Sequence, residues 1–309
     1  MRVGVSLHRT GSAPELAELA RQLEGEGYDQ LQLADHLGDL APFPALAVAA
    51  TATASLGVGT LVCNNDFWNP VLLAREAATL ALLSDGRFEL GIGAGHAQVE
   101  YQAAGIPYDR PVVRVARLAE TVPLVRRLLD GETVTSVGAH HGVVDAATGL
   151  EHPPVPVLVG GNGDRVLELG ARHADAVGLT GFTSGTGQRH SDLSHFTWHG
   201  LAERVTHVRR AAGDRAQGLE LQVLVQLVAT GERRRLAEDA ARPFDQPAER
   251  LLDSPFVMLG SVEDHVEHCA RLEELGVTRL TAFEGRGAEL LAPVIERLAR
   301  GEPKARRPM

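Results

Sequence analysis

Asp35 and His36 stand side by side after an aliphatic run, joining a carboxylate to the side chain that titrates near neutrality. The pair reads as an acid/base group, although a histidine at a loop start also commonly serves the fold alone. His96 and Cys63 close two further aliphatic runs and give that pair a chemical context. Gly160-Gly161-Asn162-Gly163 lies just ahead of a helical stretch. Glycines there admit unusual backbone angles, and the bare amides of a helix start can cradle a phosphate; the same glycines could equally do no more than turn a tight loop. His195 and His199 are four apart, His265 and His268 three apart, and neither pair has a third ligand or a glutamate placed as in HExxH. With His140-His141 they read as solvated or loop histidines. The third glycine of a GxGxxG fingerprint is replaced by His96, Val166 or His190 in the three registers tried, and neither GxxxxGK[ST] nor a GxSxG elbow occurs.

These residues share one kind of position, the end of a strand. Short aliphatic runs (Val3 to Leu7, Gln30 to Ala34, Val58 to Val62, Phe88 to Ile92, Val155 to Val159, Ala176 to Leu179, Leu219 to Val228, Thr278 to Phe283) alternate with amphipathic stretches. Leu16, Leu19, Ala20 and Leu23 exemplify the helical spacing, which gives each helix one face to lay on a sheet. Eight such units predict an α/β protein of the (β/α)8 TIM-barrel type, since an open doubly wound sheet would give five to seven strands. One domain, 1–309, accounts for the whole chain. In a barrel, Asp35-His36, Cys63-Asn64, Ala94-Gly95-His96, Gly160 to Gly163 and Thr180 all fall on one rim. The stretch 181–200, rich in Gly, Ser, Thr and His, reads as a lid or insertion, and 301–309 as a flexible tail.

Composition narrows the function. The 309 residues are 44% hydrophobic and 23% charged, which suits a globular core and excludes disordered or fibrous classes. Thirty basic against forty acidic residues give a formal charge of −10, so no general field draws nucleic acid or an anionic membrane. Aromatics at 4% leave few rings for base stacking. Cys63 and Cys269 supply neither a disulfide framework nor a CxxC site, which agrees with a reducing cytoplasm. The first residues lack the pattern of a signal peptide, and no apolar stretch reaches the roughly 18 to 20 residues of a membrane span. A soluble cytoplasmic protein acting on a small molecule is expected, with no metal.

Taken in order, the strand ends resemble the luciferase-like monooxygenase superfamily, and within it the coenzyme F420-dependent oxidoreductases of actinobacteria. The resemblance rests on Asp35-His36-Leu37, on the string Val58 to Asp66 with Asn69-Pro70, on Leu83 to Gly95 (LSDGRFELGIGAG), on Val157 to Gly163, and on Ala174 to Leu179. It implies a bacterial-luciferase-like barrel holding F420, an 8-hydroxy-5-deazaflavin, with FMN as the alternative cofactor. It also implies that Asp35 and His36 meet the tricyclic ring and the substrate, with His36 and His96 as proton carriers. Cys63, Asn64, Ala94 and Gly95 would lie against the ring, and a non-proline cis peptide would fall within Leu61 to Asn64. Gly160, Gly161, Asn162, Gly163 and Thr180 would hold the phosphate arm, with Arg286 an additional cation from position. A homodimer is the expected assembly.

Hydride transfer from the reduced deazaflavin C5 to a polarised C=C or C=N bond of a small-molecule, natural-product or peptide-derived substrate is the implied reaction. An FMN-dependent monooxygenase and a non-catalytic cofactor-binding barrel are the alternatives. Phe43, Phe67 and Trp68 are expected to build the apolar part of the pocket, or else the core. Two departures matter. Sugar-phosphate dehydrogenases of the family carry a Glu where this chain has His96, and a Lys near the place of Thr183, so oxidation of a sugar phosphate is not expected.

Overall fold

The computed structural model describes residues 1–8, 11–183, 193–242, 247–283 and 287–300, the side chains of 287–289 excepted. Eight parallel strands form a closed ring: β1 (Arg2–Leu7), β2 (Gln30–Leu33), β3 (Gly57–Thr60), β4 (Phe88–Gly93), β5 (Val157–Gly161), β6 (Ala176–Leu179), β7 (Glu220–Val225) and β8 (Arg279–Phe283). Neighbours pair in chain order, and β1 returns to β8 with Val3 opposite Leu280. Parallel strands need a long crossover, and every one here carries at least one helix.

The strands are buried on both faces, and successive side chains alternate between them. Val3, Val5, Leu31, Leu33, Leu280 and Ala282 belong to the apolar layer beneath the helices. The alternate positions turn to the barrel axis and are mostly polar or glycine, with Leu158 and Leu224 as apolar exceptions. Arg279 donates from Nη1 to Gln30 Oε1 at 2.7 Å and from Nη2 to Glu89 Oε2 at 2.9 Å. Gln32 Oε1 accepts from Thr281 Oγ1 at 2.8 Å and from Gln222 Nε2 at 3.3 Å. Space for this plug comes from glycine: a Cβ on Gly59 would lie 2.9 Å from Gln30 Nε2 and 3.0 Å from the Glu89 carbonyl.

Several elements differ from the sequence pattern. Strand β3 stops at Thr60 and Cys63–Asn64 resumes pairing opposite Ile92 and Gly93; between them the Leu61–Val62 peptide is cis, within the stretch Leu61 to Asn64 where the resemblance implied one. The run Leu219 to Val228 divides, because Leu227–Thr230 leaves the ring to pair with Val257–Gly260, a strand whose apolar run the periodicity had not separated. Helix Gln98–Ala104 and the hairpin of Val134–Val137 with Gly142–Ala146 are too short or too exposed to have shown a clear period. Of the segment read as a lid, residues 184–192 lie outside the described residues, as does the tail 301–309. Its second half is docked: Phe196 stacks on Phe256 at 5.2 Å, and Trp198 opens helix Trp198–Ala212.

His265 and His268, read from sequence as solvated, are enclosed instead. His265 is fully buried, and His268 packs on the Trp198 ring at 4.9 Å with Nε2 3.0 Å from the Pro255 carbonyl. Burial, helped by the nearby His265, Arg233 and Arg271 charges, pushes the His268 imidazole down to about 4.

Two stability measurements follow. Replacing Arg279 by Met should cost about 3–5 kcal/mol in urea unfolding, because Glu89 is left buried without its cation, and the double replacement Glu89→Met/Arg279→Met should recover much of that loss. As pH falls from about 6.5 to about 4 the unfolded chain protonates at His268 while the native state does not, so native stability drops over that window. His268→Gln should flatten the pH dependence there by about 2 kcal/mol relative to wild type, read from unfolding midpoints at pH 7 and pH 4.5.

Candidate active site

A cavity of about 670 Å³ opens at the carboxyl ends of the strands, the rim on which barrels carry their chemistry. Gln222, whose Nε2 joins the axial plug, is part of its lining, and Gln222 Oε1 is buried with no donor among the described residues. Asp35, His36, Asn64, Ala94, Gly95, His96, Gly160, Gly161, Asn162, Gly163 and Thr180 all border this one space. Cys63 does not. Its thiol is fully buried beside Thr60, because strand alternation turns it away from the face shared by Val62 and Asn64, and burial pushes its pKa well up. The apolar wall also differs from expectation. Phe43 packs on Trp68 at 5.1 Å and on Phe88 at 5.9 Å, Phe67 packs on Tyr101 at 5.3 Å, and none of Phe43, Phe67 and Trp68 borders the cavity. Leu61, Val62, Val112, Phe182, Leu224 and Phe283 do so instead. Arg286 lies outside the described residues.

Three histidines converge at one side. His36 Nδ1 lies 2.7 Å from Glu100 Oε1, its ring is edge-on to His96 at 5.4 Å, and it stacks against His8 at 5.7 Å. With Glu100 accepting at Nδ1, the tautomer is fixed and Nε2 becomes the nitrogen that exchanges protons with the cavity. His8 is itself held, with Nδ1 2.7 Å from Asp39 Oδ2 and its ring on Phe283 at 4.4 Å. Burial, with the charges of His36 and Arg114, holds His96 below its ordinary value, so it stays a neutral imidazole near pH 7.

Asp35 and Asn64 are struts as much as wall. Asp35 Oδ2 accepts the Trp68 indole N–H at 2.8 Å and the Asn64 amide at 3.2 Å. Burial holds that carboxyl above its ordinary value despite both donors. Asn64 Oδ1 accepts from the Tyr101 hydroxyl at 3.0 Å and caps Asp66 N at 3.2 Å. A Cβ on Gly95, whose φ is +70°, would run into the Tyr101 hydroxyl and the Asn64 carboxamide, so the backbone passes closer here than any other residue allows.

The glycine run opens helix Asp164–His173; the Val166 and Leu167 amides donate to the Gly163 carbonyl, and those of Asp164 and Arg165 have no backbone acceptor among the described residues. A Cβ on Gly160 or Gly161 would meet Val62 at 2.9 Å or Val166 at 2.8 Å, whereas one on Gly163 would enter open space. Asn162 is 4% exposed; its Nδ2 sits 3.2 Å from His195 Nδ1 and 3.4 Å from Thr183 Oγ1, while Oδ1 is buried with no donor among the described residues. His195, read from sequence as a loop histidine, therefore braces this corner. The Asp164 carboxylate at the helix start is engaged by Arg204. Thr180 donates its hydroxyl to the Phe182 carbonyl at 3.1 Å, shaping its own loop.

His8, Glu100 and Arg114 escaped the sequence reading although all border the cavity. His8 follows β1 as His36 follows β2, so strand-end position could have found it. Glu100 stands four residues after His96, but the element between them is too short to show a period. Arg114 is one of several arginines on a long helix, and nothing in its spacing marks it.

Residues 1–279 match the family model described as luciferase-like monooxygenase. The chain is 28% identical over 177 residues to the 5,10-methylenetetrahydromethanopterin reductase of Archaeoglobus fulgidus, covering 57% of this chain and 52% of that protein. It therefore spans about half the length of that relative. A protein of Beutenbergia cavernae named F420-dependent glucose-6-phosphate dehydrogenase is 28% identical with 97% of this chain and 95% of its own length covered. Among solved structures, the coenzyme F420-dependent tetrahydromethanopterin reductase of Methanopyrus kandleri superposes with a TM-score of 0.75, at 15% identity, over 96% of this chain and 99% of its own. That structural likeness speaks for the barrel fold, and the family match extends from the first strand into the last: the chain belongs to the luciferase-like monooxygenase family.

Proposed function

We propose that this protein is an F420-dependent oxidoreductase that moves a hydride between the deazaflavin C5 and a polarised C=C or C=N bond of a small molecule. One observation carries the reading. A single cavity joins a carboxylate-braced imidazole, His36 with Glu100, to a glycine-lined helix start able to take a phosphate. The relatives named for F420 dependence support it.

The residues present fit a phosphorylated polyol arm ending in a flat ring. Open space at Gly163 and the first-turn amides of helix Asp164–His173 suit the phosphate, and the orphaned Asn162 Oδ1 can accept from a ribityl hydroxyl. Ala94, Gly95, Leu61 and Val62 present backbone and aliphatic surface to the ring. When bound, a reduced deazaflavin supplies hydride at C5. The chain's own part is to orient the acceptor, exclude water and move one proton. His36 performs the proton transfer at Nε2, and Glu100 keeps that nitrogen aimed by holding Nδ1. His96, neutral and edge-on to His36, accepts or donates a hydrogen bond beside it. The acceptor is not a sugar phosphate on this reading: His96 replaces the acid, and Thr183, bonded to Asn162, offers no charge.

Purified protein titrated with F420 should bind it, followed through the visible band of the deazaflavin, and should retain no FMN. Tight FMN retention without F420 binding would instead favour a flavin monooxygenase. Gly163→Val should weaken F420 binding at least tenfold with an unchanged melting temperature, whereas Gly161→Val should lower the melting temperature through its clash with Val166. His36→Ala should leave F420 affinity within threefold and cut turnover by roughly 10²–10⁴; an unchanged rate would remove His36 from the mechanism.

A further inference from the structure

Arg114 lies in the first turn of helix Pro111–Leu129 and borders the cavity, yet only 3% of it is exposed. Nη1 donates to the Asp109 carbonyl at 3.0 Å, and the Tyr108 ring covers the guanidinium at 4.2 Å. Nε is buried with no acceptor, and among the described residues no carboxylate forms an ion pair with this arginine. The nearby acids are committed elsewhere. Arg117, one turn on, takes Asp66 at 2.7 Å and Asp109 at 2.6 Å, and Glu100 is held by His36.

The placement is electrostatically unfavourable for an arginine left alone. A buried cation lacks solvation, and the first turn of a helix favours negative charge over positive. The Tyr108 face and the Asp109 carbonyl offset part of this, but Nε is left with no acceptor among the described residues. A carboxylate answers them, since two parallel N–H···O bonds to guanidinium match its geometry. Arg114 also belongs to the reacting side of the cavity. Tyr108, whose ring covers the guanidinium, donates its hydroxyl to the His96 carbonyl at 3.0 Å, and His96 lies edge-on to the proton carrier His36. The glycine cradle that suits the phosphate arm is built from β5 and the helix after it.

We propose that Arg114 anchors a carboxylate of the acceptor, so that the substrate of this cavity is an unsaturated or imino acid and not a neutral molecule. This rests on the hydride-transfer reading and specifies its acceptor. A carboxylate could also come from the glutamate tail of the cofactor, and the experiment separates the two sources.

Calorimetric titration with matched acids and amides (acrylate, crotonate and cinnamate against acrylamide, crotonamide and cinnamamide) would be run on protein loaded with F420 and on protein loaded with its phosphate-free, glutamate-free deazaflavin fragment. At least one acid should bind about 10- to 100-fold tighter than its amide, the margin of a charge-assisted hydrogen-bonded pair, with either cofactor form. Arg114→Gln should abolish that margin, and Arg114→Lys should keep part of it, while affinity for F420 shifts less than threefold in both. Equal affinity of every acid and amide in the wild type, or a margin that survives Arg114→Gln, overturns the proposal. If Arg114→Gln weakens F420 but not the fragment, the carboxylate is the cofactor's and the acceptor assignment falls. Should Arg114→Gln fail to fold, Arg114→Lys decides: a reduced acid-over-amide margin supports the assignment, and a margin equal to wild type overturns it. Failure of wild type to bind any deazaflavin would sink the broader function, yet the same acid and amide series on the cofactor-free protein would still decide Arg114.

Discussion

The Arg279–Glu89 ion pair on the barrel axis is the constraint around which the rest of this molecule is arranged. Two charges taken out of water need partners, and here Arg279 reaches Glu89 and Gln30 through Nη2 and Nη1, while Gln32, Gln222 and Thr281 extend the bonding, so that four strands of the ring contribute. Barrel interiors are more often filled by branched aliphatic side chains. A directional plug of glutamines and one ion pair fixes the register of β2, β4, β7 and β8 relative to each other, which an aliphatic filling would do less strictly. Glycines at Gly4 and Gly59 are the counterpart, because side chains there would occupy the space the network needs. Gln222 belongs both to the plug and to the cavity wall, so the fold's centre and the chemical site share an atom group.

Above the plug, much of the polar apparatus holds the backbone in place. Asp35 grips the indole of Trp68 and the amide of Asn64; Asn64 grips Tyr101 and caps Asp66; Arg117 then takes Asp66. This chain of contacts sets the turn after β3 and, through Tyr101, the short helix that bears Glu100. His36 is thus positioned from both sides, by its neighbour Asp35 in sequence and by Glu100 in space. The site is rigid at its struts and open where an arm, a ring and an acceptor would lie.

The barrel was legible because eight aliphatic runs alternate with amphipathic helices, and that periodicity survives without any knowledge of contacts. Strand ends placed His36, His96, Asn64 and the glycine run on one rim for the same reason. What escaped depends on parity or on distance. The cis peptide between Leu61 and Val62 falls where the family resemblance put it, but the residue that follows, Cys63, faces away from the cavity, which a list of strand-end residues cannot reveal. Glu100 meets His36 64 residues away, and Arg114 has no ionic partner among the described residues; neither property is written in local spacing. Phe43 is core because it packs on both Trp68 and Phe88, contacts that composition alone leaves open.

The imidazole of His36 rises from the loop after β2, while the carboxylate that aims it rises from the loop after β4. Neither segment can shift alone, since a displacement of one would break the 2.7 Å contact of His36 Nδ1 with Glu100. The two segments that meet at His36 are therefore tied to one spacing, whereas Phe182 and Thr183 border the same cavity from a different connection, the one after β6.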